Sequence, residues 1–145
     1  MNQENVVAFP LDPEGIDDSN KRSYAKRWKH EALVRQYLVV PSFFLRCYAN
    51  LKPYPLTLPE AMLVIQLMDF KWDSKDPFPS CKLLAQRMGV GDKRVRRLAQ
   101  SLEGKGYLRR KMRMSTTNQY DLNPLFDALL KAMEEEVVSI KDRKK

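Results

Sequence analysis

The chain has little cysteine, histidine or glycine, and each shortage removes a class of chemistry. Its 145 residues include two cysteines, Cys47 and Cys81, in unrelated settings and without CxxC spacing. That excludes a disulfide framework or a cysteine-based zinc site, and both thiols read as small apolar core groups suited to a reducing compartment. The one histidine, His30, has no nucleophile or orienting acid at a recognisable spacing, so a histidine-based triad has nothing to build on. His, Cys and carboxylates do not cluster at metal-ligand spacing. Gly89, Gly91, Gly104 and Gly106 lack the motif and strand of a phosphate-cradling loop. Glu134, Glu135 and Glu136 read as a charge run on a helix surface rather than a paired acid and base. No apolar run reaches the roughly 18 residues of a membrane span. The opening MNQENVVAFPLDPEG has neither the basic start nor the apolar run of a signal peptide. The expectation is a cytoplasmic protein with no catalytic residues, no metal and no cofactor.

What the chain does have is positive charge, 26 Lys and Arg against 18 Asp and Glu, for a net charge of +8. Such an excess favours a polyanionic partner, because each neutralised phosphate releases condensed counterions. Its placement says more. Residues 1–20 hold Glu4, Asp12, Glu14, Asp17 and Asp18 with no Lys or Arg, and read as an acidic, disordered tail. Residues 21–56 read as an N-terminal extension that opens on KRSYAKRWKH, where Tyr24 and Trp28 share one face of a basic helix. That helix either docks by its aromatics or lies along a phosphate backbone. In the same extension YLVV (Tyr37–Val40) reads as a short strand, and Ser42 as the cap of a short helix, FFLRCYANL.

From residue 57 the punctuation becomes regular. Thr57 and Glu60 have capping-box spacing and open a helix to about Phe70 that is apolar almost all round, as a buried central helix should be. Ser80 caps the helix CKLLAQRM, with Leu83, Leu84 and Met88 in an apolar stripe. Gly89 sits where a left-handed terminator is wanted, Val90 plugs the turn, and Gly91 or Asp92 caps a second helix. There Val95, Leu98, Ala99 and Leu102 form one core-facing stripe. A short helix, a tight turn with glycine and a longer second helix make a helix-turn-helix. At about 100° per residue, Lys93, Arg97 and Gln100 lie opposite the stripe, with Arg94 and Arg96 beside them. Arg and Gln suit guanine and adenine edges in a major groove.

A hairpin follows, with strands in YLRRKM and NQYDL joined by the turn Arg113–Thr117. Lys105, Arg109, Arg110, Lys111 and Arg113 continue the cationic run, and Glu103 is the only acid between Lys93 and Arg113. The tip, Arg113 with Ser115, Thr116 and Thr117, is placed to meet phosphates or a minor groove. Residues 57–122 thus read as a winged helix-turn-helix. Residues 123–145 read as a helix capped by Asn123, with Leu125, Phe126, Leu129, Leu130, Met133, Val137 and Ile140 at helical spacing and a basic tail. Its first turns should pack on the domain and its later turns are available to a second subunit. The fold class is mainly α with a small β-hairpin and helical extensions at both ends.

The stretch PFPSCKLLAQRMGVGDKRVRRLAQSLEGKGYLRR resembles the winged helix-turn-helix of GntR-like regulators and of plasmid and phage replication proteins. After the wing, NQYDLNPL is similar to the replication branch, including DnaD-type primosome proteins. The resemblance implies base contacts from Lys93, Arg94, Arg96 and Arg97 and backbone contacts from the wing. Relatives often start the second helix with Ser and Thr where this chain has Gly91-Asp92-Lys93. The function implied is double-stranded DNA binding in replication initiation or transcriptional regulation of a plasmid, phage or other mobile element, with a second copy of the chain (a homodimer) and other replication or transcription proteins as the expected partners. The alternative is a winged helix that binds protein, its basic face meeting an acidic partner such as residues 1–20.

Overall fold

The computed structural model describes Trp28, Leu33, and residues 37–71, 74–114 and 116–144. The chain divides into two units, Met1–Val39 and Val40–Lys145. In the first, Trp28 and Leu33 are exposed. The acidic tail, His30, and the basic helix apart from Trp28 lie outside the described residues. Tyr37–Val40 is not a strand. Pro41 biases the residue before it towards extended backbone, but the only two strands among the described residues pair with each other, so this run has no ladder to join.

The second unit opens on α1, Ser42–Cys47, which tightens into a 3-10 turn at Tyr48–Asn50. Ser42 is not its cap. Pro41 holds that position, and its carbonyl accepts the first helical bond, from Phe44 N at 3.0 Å. Then come α2 (Leu58–Asp69), α3 (Cys81–Met88), α4 (Asp92–Gly104), β1 (Arg109–Lys111), β2 (Gln119–Asp121) and α5 (Asn123–Arg143). The strands are antiparallel, with Arg110 opposite Tyr120. The result is a mainly helical domain with one small hairpin, the fold class expected.

Helix α2 is the central element, packed by both α3 and α4. Both halves of its capping box form: Glu60 N donates to Thr57 Oγ1 and Thr57 N to Glu60 Oε1. Ala61, Leu63, Val64, Leu67 and Met68 are buried, yet Leu58 and Met62 face solvent, so the helix is buried on one side rather than all round. Ser80 Oγ caps α3 by accepting from Leu83 N at 3.1 Å. Helix α3 ends in a reciprocal pair of bonds, Val90 N to Ala85 O and Gly89 N to Gln86 O, with Gly89 at φ 69°. This left-handed terminator is open to glycine and strained for other residues. Val90 does not plug the turn: its backbone closes the motif while its side chain stays 37% exposed.

Helix α4 ends the same way, with Tyr107 N bonding Leu102 O and Gly106 at φ 81°. Tyr107, Leu102 and Leu108 are buried where the chain turns into the hairpin. Tyr107 Oη donates to Tyr54 O at 2.6 Å and accepts from Tyr54 N, clamping the loop between α1 and α2. Strand β2 is held to the loop before α3 by Tyr120 N to Pro77 O, and the buried Tyr120 hydroxyl lies 3.6 Å from Cys81 Sγ. Burial, and then that contact, push the Tyr120 phenol well above its ordinary value and keep it neutral. Helix α5 is capped from outside: Asp121, itself buried, accepts from Asn123 N at 2.9 Å, whereas Asn123 is already helical and makes no cap of its own. Leu125 and Leu129 bury the start of α5, and α5 packs on α1. Burial, and then the charge of Glu136, push the Cys47 thiol up, so it is a poor nucleophile at neutral pH. Cys47 and Cys81 are both free and only partly buried rather than core residues.

Candidate nucleic-acid interface

What fixes the outward face of α4 is the chemistry of its inward face. Val95, Leu98, Ala99 and Leu102 are all buried against the domain. Four such side chains contribute several kcal/mol of burial at about 25 cal/mol per Å². A polar lock adds angular precision. Glu60 of α2 is 2% exposed and accepts from Ser101 Oγ at 2.7 Å and Lys105 Nζ at 2.6 Å. The same ammonium reaches Pro55 O at 2.8 Å. Burial alone would push the Glu60 carboxyl up. Hydrogen bonds from Lys105, the Thr57 backbone and Ser101 more than offset it and hold the group below the usual carboxylate range. Two donors one turn apart, Ser101 on α4 and Lys105 at its C-terminal cap, meet one carboxylate on α2 and set the rotation of α4 about its axis.

That rotation leaves Lys93, Arg94, Arg96, Arg97 and Gln100 exposed. Among the described residues none of the four cations has an ion pair or hydrogen-bonding partner for its side chain. Lys93–Arg96, Lys93–Arg97 and Arg94–Arg97 are like-charged at i,i+3 or i,i+4, each pair costing about 0.2–0.5 kcal/mol in an isolated helix. They also crowd the helix's N-terminal turns, where the macrodipole already favours anions. Only Asp92 is acidic there. A cluster that repels itself, at the end of a helix least suited to cations, is relieved by an incoming anion.

The other basic positions are different. Lys105 turns inward to Glu60. Arg110 pairs with Glu103 and is mostly covered. Lys111 reaches Asp76 at 2.9 Å. Arg113 Nε donates to Thr117 O at 2.8 Å, and its guanidinium lies 4.7 Å from the centre of the Phe78 ring. Thr117 Oγ1 accepts from Arg113 Nη2 and donates to Phe78 O at 2.6 Å. These side chains are engaged within the domain, so the cationic run of residues 93–113 is not a single free set. Arg109 and Thr116 are exposed, and Ser115 lies outside the described residues. Of the wing cations, only Arg109 is without an intramolecular partner among the described residues.

Lys82 on α3 was not anticipated as part of this surface; it too is exposed and unpaired. Its place across the helix from the buried Leu84 in CKLLAQRM was the available signal. Arg87 looks similar in sequence, but pairs with Asp69 at 2.7 Å and stacks 4.3 Å from the Phe70 ring centre. Among the described residues there is no cluster of three potential metal ligands, and no helix is long and apolar enough to cross a membrane.

A three-helix body with an antiparallel hairpin following its exposed cationic helix defines a winged-helix-like domain. Within that class, the DnaD N-terminal domain model matches residues 40–140, and the chain belongs to that replication-related family. The match covers the second structural unit almost to its end. No curated protein matches the chain.

Proposed function

We propose that this chain binds double-stranded DNA without catalysing a reaction on it, and acts in replication initiation on a plasmid, phage or other mobile element. The observation that carries this reading is the set of four exposed, unpaired cations on the first turns of α4. Helix α4 enters the major groove, where Arg94, Arg96 and Arg97 meet guanine edges and Gln100 adenine. Lys93, Lys82 and Arg109 neutralise phosphates on either side, with Thr116 a neutral donor at the wing. The same contact would serve transcriptional regulation; the family favours replication.

The test is the salt dependence of binding to a duplex. With roughly three phosphates neutralised, by Lys93, Lys82 and Arg109, log affinity falls against log salt with a slope of about −3. A protein that ignores duplex DNA at low ionic strength, or binds it with no salt dependence, removes the reading.

We further propose that the protein works as a homodimer joined through α5. Leu130, Met133, Val137 and Ile140 are exposed and spaced three, four and three residues apart, the a and d positions of a heptad. They continue the side that Leu125 and Leu129 bury. In a parallel pair, Glu136 of one copy faces Lys141 of the other, the g to e pairing of a coiled coil. The double substitution Leu130→Lys with Val137→Lys is expected to turn a dimer into a monomer in sedimentation equilibrium, with helical content unchanged. A wild type already monomeric at roughly 50 µM, where mass action should drive association, would refute it.

A further inference from the structure

Two of the chain's seven methionines sit where apolar groups gain least from folding. Met112 is 88% exposed and Met114 96% exposed, flanking Arg113 at the tip of the wing. Met68, by contrast, is buried in α2. Full burial of such a side chain is worth about 1.5–3 kcal/mol, and the fold collects almost none of it here.

The residue between them makes the arrangement specific. Sequence alone would have Arg113 reach out to a phosphate. Instead it folds back, donating to both the carbonyl and the hydroxyl of Thr117 and lying over Phe78. Thr117 is tied in turn to Phe78 O. The turn is closed by its own cation and fixed to the loop before α3. The charge that would have met the backbone is withdrawn, and two thioethers are the large apolar groups left exposed at the tip of the hairpin.

On the DNA-binding reading above, on which this rests, we infer that Met112 and Met114 form an apolar wedge that enters the minor groove and partly unstacks a base step. Minor-groove wedges are apolar side chains, methionine among them, flanked by groups that hold the backbone. Methionine suits the task because it is unbranched, polarisable and adaptable in shape. The flanking groups are present: Arg109 is free on β1 and Thr116 is exposed beside the tip. The positive character of the domain favours DNA over an apolar protein surface as what covers the pair. Pyrimidine–purine steps such as TA unstack most easily and are the steps the wedge should select.

The experiment uses the full chain and a duplex rich in TA steps, with 2-aminopurine at the adenine of each step and dyes at its ends. Wild type should raise 2-aminopurine fluorescence and bring the ends together. The double substitution Met112→Ser with Met114→Ser should abolish both signals and weaken binding roughly tenfold. Its salt slope should be unchanged, since no cation is lost. Met112→Leu with Met114→Leu should restore both signals. Oxidation of the two methionines by dilute peroxide, read by mass spectrometry, should slow several-fold when the duplex is bound. Salt-dependent binding with identical fluorescence and end distance in all three proteins would overturn the wedge and leave the α4 contact standing. Absence of duplex binding by the wild type would overturn both. If the serine variant loses self-association and keeps its DNA signals, the tip is a contact between copies and the inference is wrong.

Discussion

Replacing Lys93, Arg96 and Arg97 together by alanine is expected to weaken duplex binding by about a hundredfold or more while leaving the fold intact. Each base-contacting arginine is worth roughly 1–3 kcal/mol on a preferred site, and each lost phosphate contact flattens the salt slope by about 0.9. Stability should not suffer, because all three side chains are exposed and have no partners among the described residues. It should rise by up to about 1 kcal/mol, since the substitutions abolish all three like-charged pairs in the N-terminal turns. Fluorescence anisotropy with a labelled duplex, beside a thermal melt, reads both quantities. The contrast is with Lys111→Ala, whose side chain already has Asp76 as a partner and should change binding far less. A triple variant that keeps wild-type affinity, or one that melts well below wild type, contradicts the assignment of α4 as the interface.

The second large effect concerns stability. Glu60→Ala should destabilise the domain by about 3 kcal/mol and lower Tm by roughly 10–20 °C for a domain of this size. It removes half of the capping box, leaves Ser101 Oγ without its acceptor, and strips Lys105 of its carboxylate. The figure sits at the low end of what breaking a buried pair costs, because Lys105 is partly exposed and keeps Pro55 O. Glu60→Gln preserves shape and should lose less. The pH dependence separates charge from shape. The folded carboxyl is held below its ordinary value of about 4.3. Its stabilisation is therefore fully present above that pH and lost as pH falls through the lower, folded value. Wild-type Tm should decline on acidification below about pH 4.5, and Glu60→Gln should show a shallower decline there. Parallel curves would mean that the carboxylate contributes by shape alone. Because Glu60 positions α4 without facing solvent, Glu60→Gln should also loosen DNA binding indirectly, with the salt slope unchanged.

One prediction concerns the outward cations of α4 and the other the α2 carboxylate that holds α4 in place, and the two were not equally legible. The apolar stripe of Val95, Leu98, Ala99 and Leu102, and the cations opposite it, follow from 3.6-residue periodicity, which is a local property. So do the Thr57–Glu60 box, the Ser80 cap and the Gly89 terminator, whose partners are at most a few residues away. The second task of Glu60, receiving Ser101 and Lys105 from 41 and 45 residues further along, has no local signature. The same holds for Lys111 with Asp76, 35 residues apart, and for Arg87 with Asp69. Adjacent identical residue types took different roles: Arg109 is free and Arg110 is paired. Alternation on a strand predicts that they face opposite ways, but not which side meets Glu103. At Asn123 and Ser42 the expected cap residue was displaced by a neighbour, Asp121 in one case and Pro41 in the other. A cap depends on where the helix actually starts, and a shift of one residue changes which side chain can reach.

By itself, then, the order of residues determined the elements, the helix-turn-helix spacing, the hairpin and the concentration of positive charge between Lys93 and Arg113. Each depends on bonds and side-chain spacings within about one or two helical turns. Tertiary structure alone decided which of those charges remain available, because a cation is free or paired according to acids that chain folding brings beside it. It divided one apparently uniform basic segment into an outward set on α4, a set of fasteners in the wing, and a tip that exposes two methionines.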